Sequence, residues 1–424
     1  MSNACIFLFT IVDGVFVGRG VGSDALGAVN IAMPVVMIAT AINMLTSIGG
    51  CAIAAIRLGQ NDKEGANQAF LHSLTANVVL AAIITLVCTL LTEPLSKFLG
   101  ADAFYLPMAK EYVFWWGLFA IPSALSVNFQ FFCRNDGSPA LVAAATVIST
   151  VLNIFLDWLF VFPMQMGIMG AAIATGISQT VSWLVVAMHF ILHKGDLRIR
   201  PYKPQMGMFG QIIFFGLPEM IAQFATPVTT ICLNTVIVAH LGEVAVNAFA
   251  VISYVASLAI SVFAGAAEGL QPLFGQTYGA KEEKDMKWYF RSGMLISFVG
   301  SIVIVGLCIF FGRPICSLFG ADAETLEYTL YYLPQYAWAF VVVGLNTMIS
   351  AYLYSTERSG YAIPLNICRA LVFNTLIIRG LPALVGESII WYTYGIAEGA
   401  VLILAVILLK ISERNGIVFK NQQY

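Results

Sequence analysis

The chain has 424 residues, of which 59% are hydrophobic and 10% charged, and its formal net charge is −2. A soluble domain carries roughly 25% charged residues, so a water-exposed globule of this size is excluded, and the near-neutral balance excludes the clustered basic face that a nucleic-acid partner asks for. What remains is a chain whose outer faces meet lipid.

A membrane-spanning helix needs about 20 mainly apolar residues. In chain order such stretches fall at 3–18, 27–52, 72–92, 112–133, 139–161, 169–192, 211–238, 245–273, 292–312, 328–353, 361–382 and 387–411. They predict an all-α integral membrane fold of about twelve transmembrane helices. The first stretch has no basic start and no small-residue cleavage site, and Asp13 interrupts it, so it is read as a helix and not as a leader. Between spans the chain carries turn chemistry, as in Arg134-Asn135-Asp136-Gly137-Ser138-Pro139 and Pro201-Tyr202-Lys203-Pro204.

The chain repeats itself at an offset of 220 residues. Gly22 pairs with Gly242, Gly59 with Gly279, Phe70 with Phe290 and Pro94 with Pro314. Gly100-Ala101-Asp102-Ala103 pairs with Gly320-Ala321-Asp322-Ala323. Six helices per repeat keep both halves in one orientation, so the expected architecture is two parallel six-helix bundles related by a pseudo-two-fold axis along the membrane normal. The bundles are placed at 1–192 and 211–412, with a cytoplasmic linker at 193–210 and a tail at 413–424. Gly216-Leu217-Pro218 opens helix 7, and its counterpart would precede Met1, so helix 1 is expected to lack its beginning.

Positive charge sets the orientation. Fifteen Lys and Arg residues, among them Arg57, Lys63, Arg134, Lys194, Arg198, Arg200, Lys203, Lys281 and Arg358, lie in the even-numbered loops and the tail. The odd-numbered loops hold only Arg19, Lys97, Lys110 and Arg313. Both termini are therefore expected in the cytosol of a multi-pass plasma-membrane protein.

A charge in the hydrocarbon costs about 2.5–3.5 kcal/mol at a helix centre on insertion scales, so each one needs a partner or a function. The candidates are Asp13, Asp157, Glu219, Glu268, Arg369, Arg379 and Glu398. Asp13 and Asp157 each lie about five residues from the outer end of their helices, which is roughly 7 Å of depth at 1.5 Å per residue. Thr175 reaches a similar depth on helix 6, and Asn153 lies one turn before Asp157 on the same face. Two carboxylates, an amide and a hydroxyl at one level suit either of two tasks. Paired acids in a dry site can hold a proton, and the same oxygens can cage Na⁺. In the second half the counterpart of Asp13 is Leu233, and that of Asp157 is Ile377 or Ile378. Arg369 and Glu398 fall at similar depth on neighbouring helices and are expected to form an ion pair. Glu219 and Glu268, near the cytoplasmic ends of helices 7 and 8, are open to substrate contact, proton relay or simple solvation.

Other chemistry finds little purchase. The eight cysteines form no CxxC pair and read as apolar packing residues. His189 and His193 are four apart on one predicted helix face, but no third metal ligand is evident, so they read as interfacial polar residues. No GxxxxGK[ST] is present, so the chain is expected to be no enzyme, to need no cofactor or ATPase subunit, and to draw on an ion gradient.

Val12-Asp13-Gly14-Val15-Phe16-Val17-Gly18-Arg19 with Leu26-Gly27-Ala28-Val29-Asn30 resembles the helix 1–2 signature of MATE (multidrug and toxic compound extrusion) transporters. Arg57-Leu58-Gly59-Gln60-Asn61, Arg134-Asn135-Asp136-Gly137, and Asn153 to Asp157 followed by Gly170 to Thr175 are similar to the same family, nearest to its bacterial MepA-like subgroup. The resemblance implies two six-helix bundles that export bulky organic cations against H⁺ or Na⁺, working as a monomer in lipid. It places the first-bundle cation site at Asp13, Asn153, Asp157 and Thr175, and carries over to Glu219 and Glu268 only weakly. A lipid-linked precursor flippase is the alternative, which would call for more than twelve helices or a cationic cavity.

Overall fold

The computed structural model describes residue 16 and residues 20–99, 101, 103–317 and 323–414. Asp13 lies outside the described residues, as do the Gly100 and Asp102 of the first GADA motif and most of the second. Among the described residues no β-strand occurs. Among the described residues nine helices are long and apolar enough to span a membrane, and eleven spans result when each of two bent pairs is taken as one. These match the eleven stretches predicted from residue 27 onward.

The chain divides into two compact units, Met1–Met220 with Gly279–Lys281, and Ile221–Tyr278 with Glu282–Tyr424. The first contains α1 (Ser23–Gly59), α2 (Lys63–Leu90), the short α3 (Thr92–Phe98), α4 (Leu106–Leu118), α5 (Ala120–Asn135), α6 (Pro139–Val161), α7 (Gly167–Ile191) and most of α8 (Met206–Ala222). The second runs through α9 (Ala225–His240), α10 (Glu243–Gly279), α11 (Glu283–Phe310), α12 (Gly312–Ser317), α13 (Ala323–Ala337), α14 (Ala339–Ser355), α15 (Ser359–Ile367), a π turn (Cys368–Phe373), α16 (Asn374–Val385), a 3₁₀ turn (Glu387–Tyr392) and α17 (Thr393–Arg414).

The 220-residue repeat is written into these elements. Helices α1 and α10 have 37 residues each and begin 220 apart, and α2 and α11 have 28 each at the same offset. The left-handed turn residues repeat in the same frame, Gly22 with Gly242, Asn61 with Lys281 and Gly137 with Glu357. Helices α4 and α5 meet at a 49° bend, and α13 and α14 at 41°. The first bend has a local cause. Pro122 lacks the N–H that would bond the carbonyl of Leu118, where α4 ends. Pro227 stands in the same relation to Gln223 at the break between α8 and α9. No proline stands four residues beyond Ala337 or Trp338, so the second bend persists without one.

In the first unit the core is built from small residues and aromatics. Phe70 of α2 stacks on Phe190 of α7 at 4.9 Å and packs against Phe132 of α5 at the same distance. Gly49 and Gly216 let α1 and α8 approach backbone to backbone, since a Cβ on either would strike a carbonyl of the other helix. Small residues at such crossings are how membrane helices gain packing without a hydrophobic driving force.

The segment after α7 is strapped to the first unit. Asp136 accepts from His189 Nε2 (2.9 Å) and from the backbone N–H groups of Asp196 (2.8 Å) and Leu197 (3.2 Å). Further along, Arg198 N donates to Asn67 Oδ1 (2.6 Å), Arg200 pairs with Glu64, and Tyr202 Oη donates to Thr75 Oγ1 (2.6 Å). Gln205 N donates to His72 Nε2 (2.8 Å), which leaves the ring proton on Nδ1, facing the carbonyl of Gln68. The expectation for the two histidines is corrected here. Helix α7 ends at Ile191, His193 sits in a left-handed turn, and His189 is 1% exposed and bound to Asp136. The pair therefore shares no helix face, and His189 is a buried latch instead of an interfacial residue.

Beside α3, outside the spanning helices, Lys110 and then Lys97 hydrogen-bond Glu93 and hold its carboxyl down at about 2. All seven described cysteines are free, and six are buried, in keeping with packing roles.

Candidate functional site

Of the four oxygens-bearing residues expected to meet in the first unit, three are described. Asp157 and Asn153 lie one turn apart on α6, and Asp157 is 0% and Asn153 2% exposed. Such burial follows from the sequence of α6, which turns Val142, Ala145, Thr146, Ser149, Asn153, Asp157 and Val161 to the interior, the polar stripe every three to four residues. Asn153 Nδ2 donates to Thr175 Oγ1 of the adjoining α7 at 3.4 Å, while Asn153 Oδ1 is buried and has no hydrogen-bond partner among the described residues. An ionised carboxylate at such burial demands a proton, a cation or a charged neighbour. Neither α6 nor α7 carries a Lys or Arg. The donor set of carboxylate, amide oxygen and hydroxyl is of the hard type that suits Na⁺, and it equally suits a shared proton. Asp13 belongs to a segment outside the described residues, so its distance from this group is not part of the geometry.

Glu219 and Glu268 are half-buried on α8 and α10, in the first and second unit respectively.

The second unit has its own polar centre. Leu233 and Ile378 are both 0% exposed and apolar, so the acids of the first unit have no counterpart there. The π turn fixes the alignment. Ser138 and Arg358 cap α6 and α15 at an offset of 220, whereas Asn153 and Asn374 lie 221 apart. A π turn is a one-residue insertion, and Cys368–Phe373 supplies it between those points. Ile378 is therefore the counterpart of Asp157. Within the same region Arg369 Nε and Glu398 Oε1 form the expected ion pair at 2.9 Å, with side chains 10% and 1% exposed.

Sequence reasoning missed two groups of residues. Asn346 of α14 donates to Glu398 Oε2 (2.8 Å) and to its main-chain carbonyl (2.9 Å). In the first unit Asn128 Nδ2 reaches Ser73 Oγ (2.9 Å) and Ser47 Oγ (3.3 Å), and Asn77 Nδ2 reaches Thr46 Oγ1 (2.9 Å), all in the interior. Intramembrane asparagines were the available signal, since an amide in hydrocarbon needs a partner as much as a charge does.

Among the described residues no group of three or more His, Cys, Asp or Glu is placed to hold a metal.

Comparison with known proteins adds the family context. The profile of the MatE family matches residues 1–159 and 208–378. The FAD transporter of Shewanella oneidensis is 25% identical over 86% of this chain and 81% of its own length. The multidrug export protein MepA of Staphylococcus aureus is 23% identical over 95% of this chain and 89% of its own. Among solved structures, a multidrug resistance MATE family transporter of the MOP superfamily in an outward-facing conformation superposes with a TM-score of 0.90 at 23% identity, covering 98% of this chain and 93% of that one. A Vibrio cholerae MATE transporter gives 0.91 at 21% identity, covering 98% and 94%.

Proposed function

The chain belongs to the MatE family, and from that premise we propose that it is a secondary antiporter exporting cationic or amphipathic drug-like molecules in exchange for H⁺ or Na⁺ by alternating access. The coupling ion binds at Asp13, Asn153, Asp157 and Thr175, and Glu219 and Glu268 contact substrate or relay protons. The protein works as a monomer in the cell membrane with both termini in the cytosol, and draws on the ion gradient without an ATPase partner.

The observation that carries this reading is the fully buried Asp157, one turn from Asn153, whose amide reaches Thr175 and whose Oδ1 has no described partner. A helix interior tolerates such a group where it exchanges a proton or an ion. The name of the Staphylococcus aureus relative, a multidrug export protein, supports the substrate class. The name of the Shewanella oneidensis relative supplies the competing one, a flavin nucleotide. The flippase alternative draws no support from either relative.

Efflux of ethidium from cells expressing the chain tests the proposal, with pH and Na⁺ gradients imposed separately. Export that collapses in Asp157→Asn supports it, and the gradient that drives export names the ion. Equal export by parent and variant removes Asp157 from the mechanism. Export of FAD with none of ethidium moves the substrate to flavin nucleotides.

A further inference from the structure

The polar centre of the second unit repeats the chemistry of the first with one difference. Glu398 of α17 is 1% exposed. Its Oε1 accepts from Arg369 Nε at 2.9 Å, and its Oε2 accepts from Asn346 Nδ2 at 2.8 Å. Arg369 Nη1 lies 3.5 Å from Thr347 Oγ1, and the guanidinium also hydrogen-bonds the hydroxyl of Tyr394. Asn346 is 1% exposed, and its Oδ1 has no hydrogen-bond partner among the described residues. The guanidinium thus sits against a carboxylate and a hydroxyl, and Asn346 holds the same carboxylate by its other oxygen. In the first unit Asn153 likewise keeps an unpartnered buried amide oxygen, beside Thr175 and one turn from Asp157. In the first unit the helices that carry the group hold no Lys or Arg. In the second, the centre is filled by a guanidinium.

We propose that Glu398 and Thr347, with Asn346 bracing the carboxylate, form a second cation-binding site whose cation is the chain's own Arg369. An arginine does not give up its proton in a protein, and its stem ties it to the backbone. The site is therefore permanently loaded. It takes no cation from solution, and the carboxylate of Glu398 stays neutralised without an exchangeable ion. Arg369 owes its position to the π turn. The turn widens the helix by one residue just where the guanidinium leaves it. The inference shares its chemistry with the coupling site proposed above but does not depend on it.

Removing the guanidinium should convert the site into one that accepts a cation from solution. The experiment uses the full chain, purified in detergent, with Asp157→Asn in every sample so that the first unit's group contributes no ion response. Thermal unfolding is followed at constant ionic strength while choline chloride is replaced by guanidinium chloride or by NaCl in the millimolar range. Asp157→Asn alone is expected to show no specific shift in Tm. Adding Arg369→Ala should lower Tm and then let guanidinium, and more weakly Na⁺, raise it by several degrees along a saturating curve. Adding Glu398→Gln to that pair should abolish the recovery. A folded Arg369→Ala sample with no ion-specific shift overturns the proposal, and so does a shift that survives Glu398→Gln. Should Arg369→Ala yield no monodisperse protein, it is extracted in guanidinium, and Arg369→Gln is titrated in parallel. Recovery by the ion supports the site, and a folded Arg369→Gln sample indifferent to both ions refutes it. Failure of the efflux test at Asp157 leaves this readout unaffected.

Discussion

Residue scale shows how narrowly single atoms constrain this membrane protein. Gly216 faces the carbonyl of Leu45, and Gly49 faces that of Ile212, so α1 and α8 touch through main chain. A methyl group has no flexible side chain to push aside there. Gly216→Ala must separate two helices, and overpacking of this kind costs about 1–3 kcal/mol. The expected outcome is a lower Tm for the purified protein, while alanine at Gly207 or Gly210, which meet nothing within 4 Å, should leave Tm near the parent value. Equal Tm for all three variants would show that the crossing is loose. Glu93 illustrates the opposite case, an exposed residue whose state is set by two neighbours. Lys110 and Lys97 lower its pKa from 4.5 to about 2. The contribution of that trio is present above the ordinary carboxylate pKa and fades as pH falls from there through about 2. Solvent exposure and salt screening keep it small.

At the scale of elements, the decisive feature is the π turn Cys368–Phe373. A one-residue insertion in an α-helix would rotate everything beyond it by roughly 100°, and the π turn absorbs that rotation locally. Deleting Leu371, whose side chain is 52% exposed, should let the segment relax to α-helix with Asn374 and Ile378 still facing inward. Deleting Thr150 from the regular α6 should instead swing Asn153 and Asp157 off their face. Expression as monodisperse protein is the measurement. The Leu371 deletion is expected to survive and the Thr150 deletion to fail. The reverse order, or failure of both, would mean that the widened turn is needed for more than register.

For the molecule as a whole, the strap from His193 to Gln205 matters most, because it carries the chain from α7 to α8 and is fastened along its length to the first unit. Asp136 holds its start through His189 and two backbone N–H groups. Hydrogen bonds to a charged group are worth about 1.5–3 kcal/mol each. Asp136→Asn removes the charge and replaces one acceptor with a donor, so the strap should open on the order of tenfold more often. Trypsin cleavage after Lys194 and Arg198 reports that opening. An unchanged cleavage rate would show that the later contacts, at Asn67, Thr75 and His72, hold the strap without Asp136.

Much of this architecture is legible in the sequence because its causes are local. Apolar length marks the spans, and eleven of the predicted stretches reappear as described helices or bent pairs. The 220-residue frame is readable in Gly22 and Gly242 or in Phe70 and Phe290, and it returns as helices of equal length. The one-turn spacing of Asn153 and Asp157 requires their common face, and the depth of Arg369 and Glu398 made their pairing foreseeable. What depends on packing between distant segments was not legible. The sequence places His189 and His193 four apart, yet the chain turns at Ile191 and only the fold brings Asp136 to His189. The single-residue slip between Ser138/Arg358 and Asn153/Asn374 can be counted, but whether a loop, a bend or a π turn takes it up is decided by the neighbours that hold the helix in line. Asn346 looks like any polar residue in an apolar run until α17 lays Glu398 against it. Hydropathy and periodicity are properties of consecutive residues, so the sequence by itself determined the class, the spans and the repeat. The partners of buried polar groups are chosen by helices far apart in the chain, and only the tertiary structure decided them.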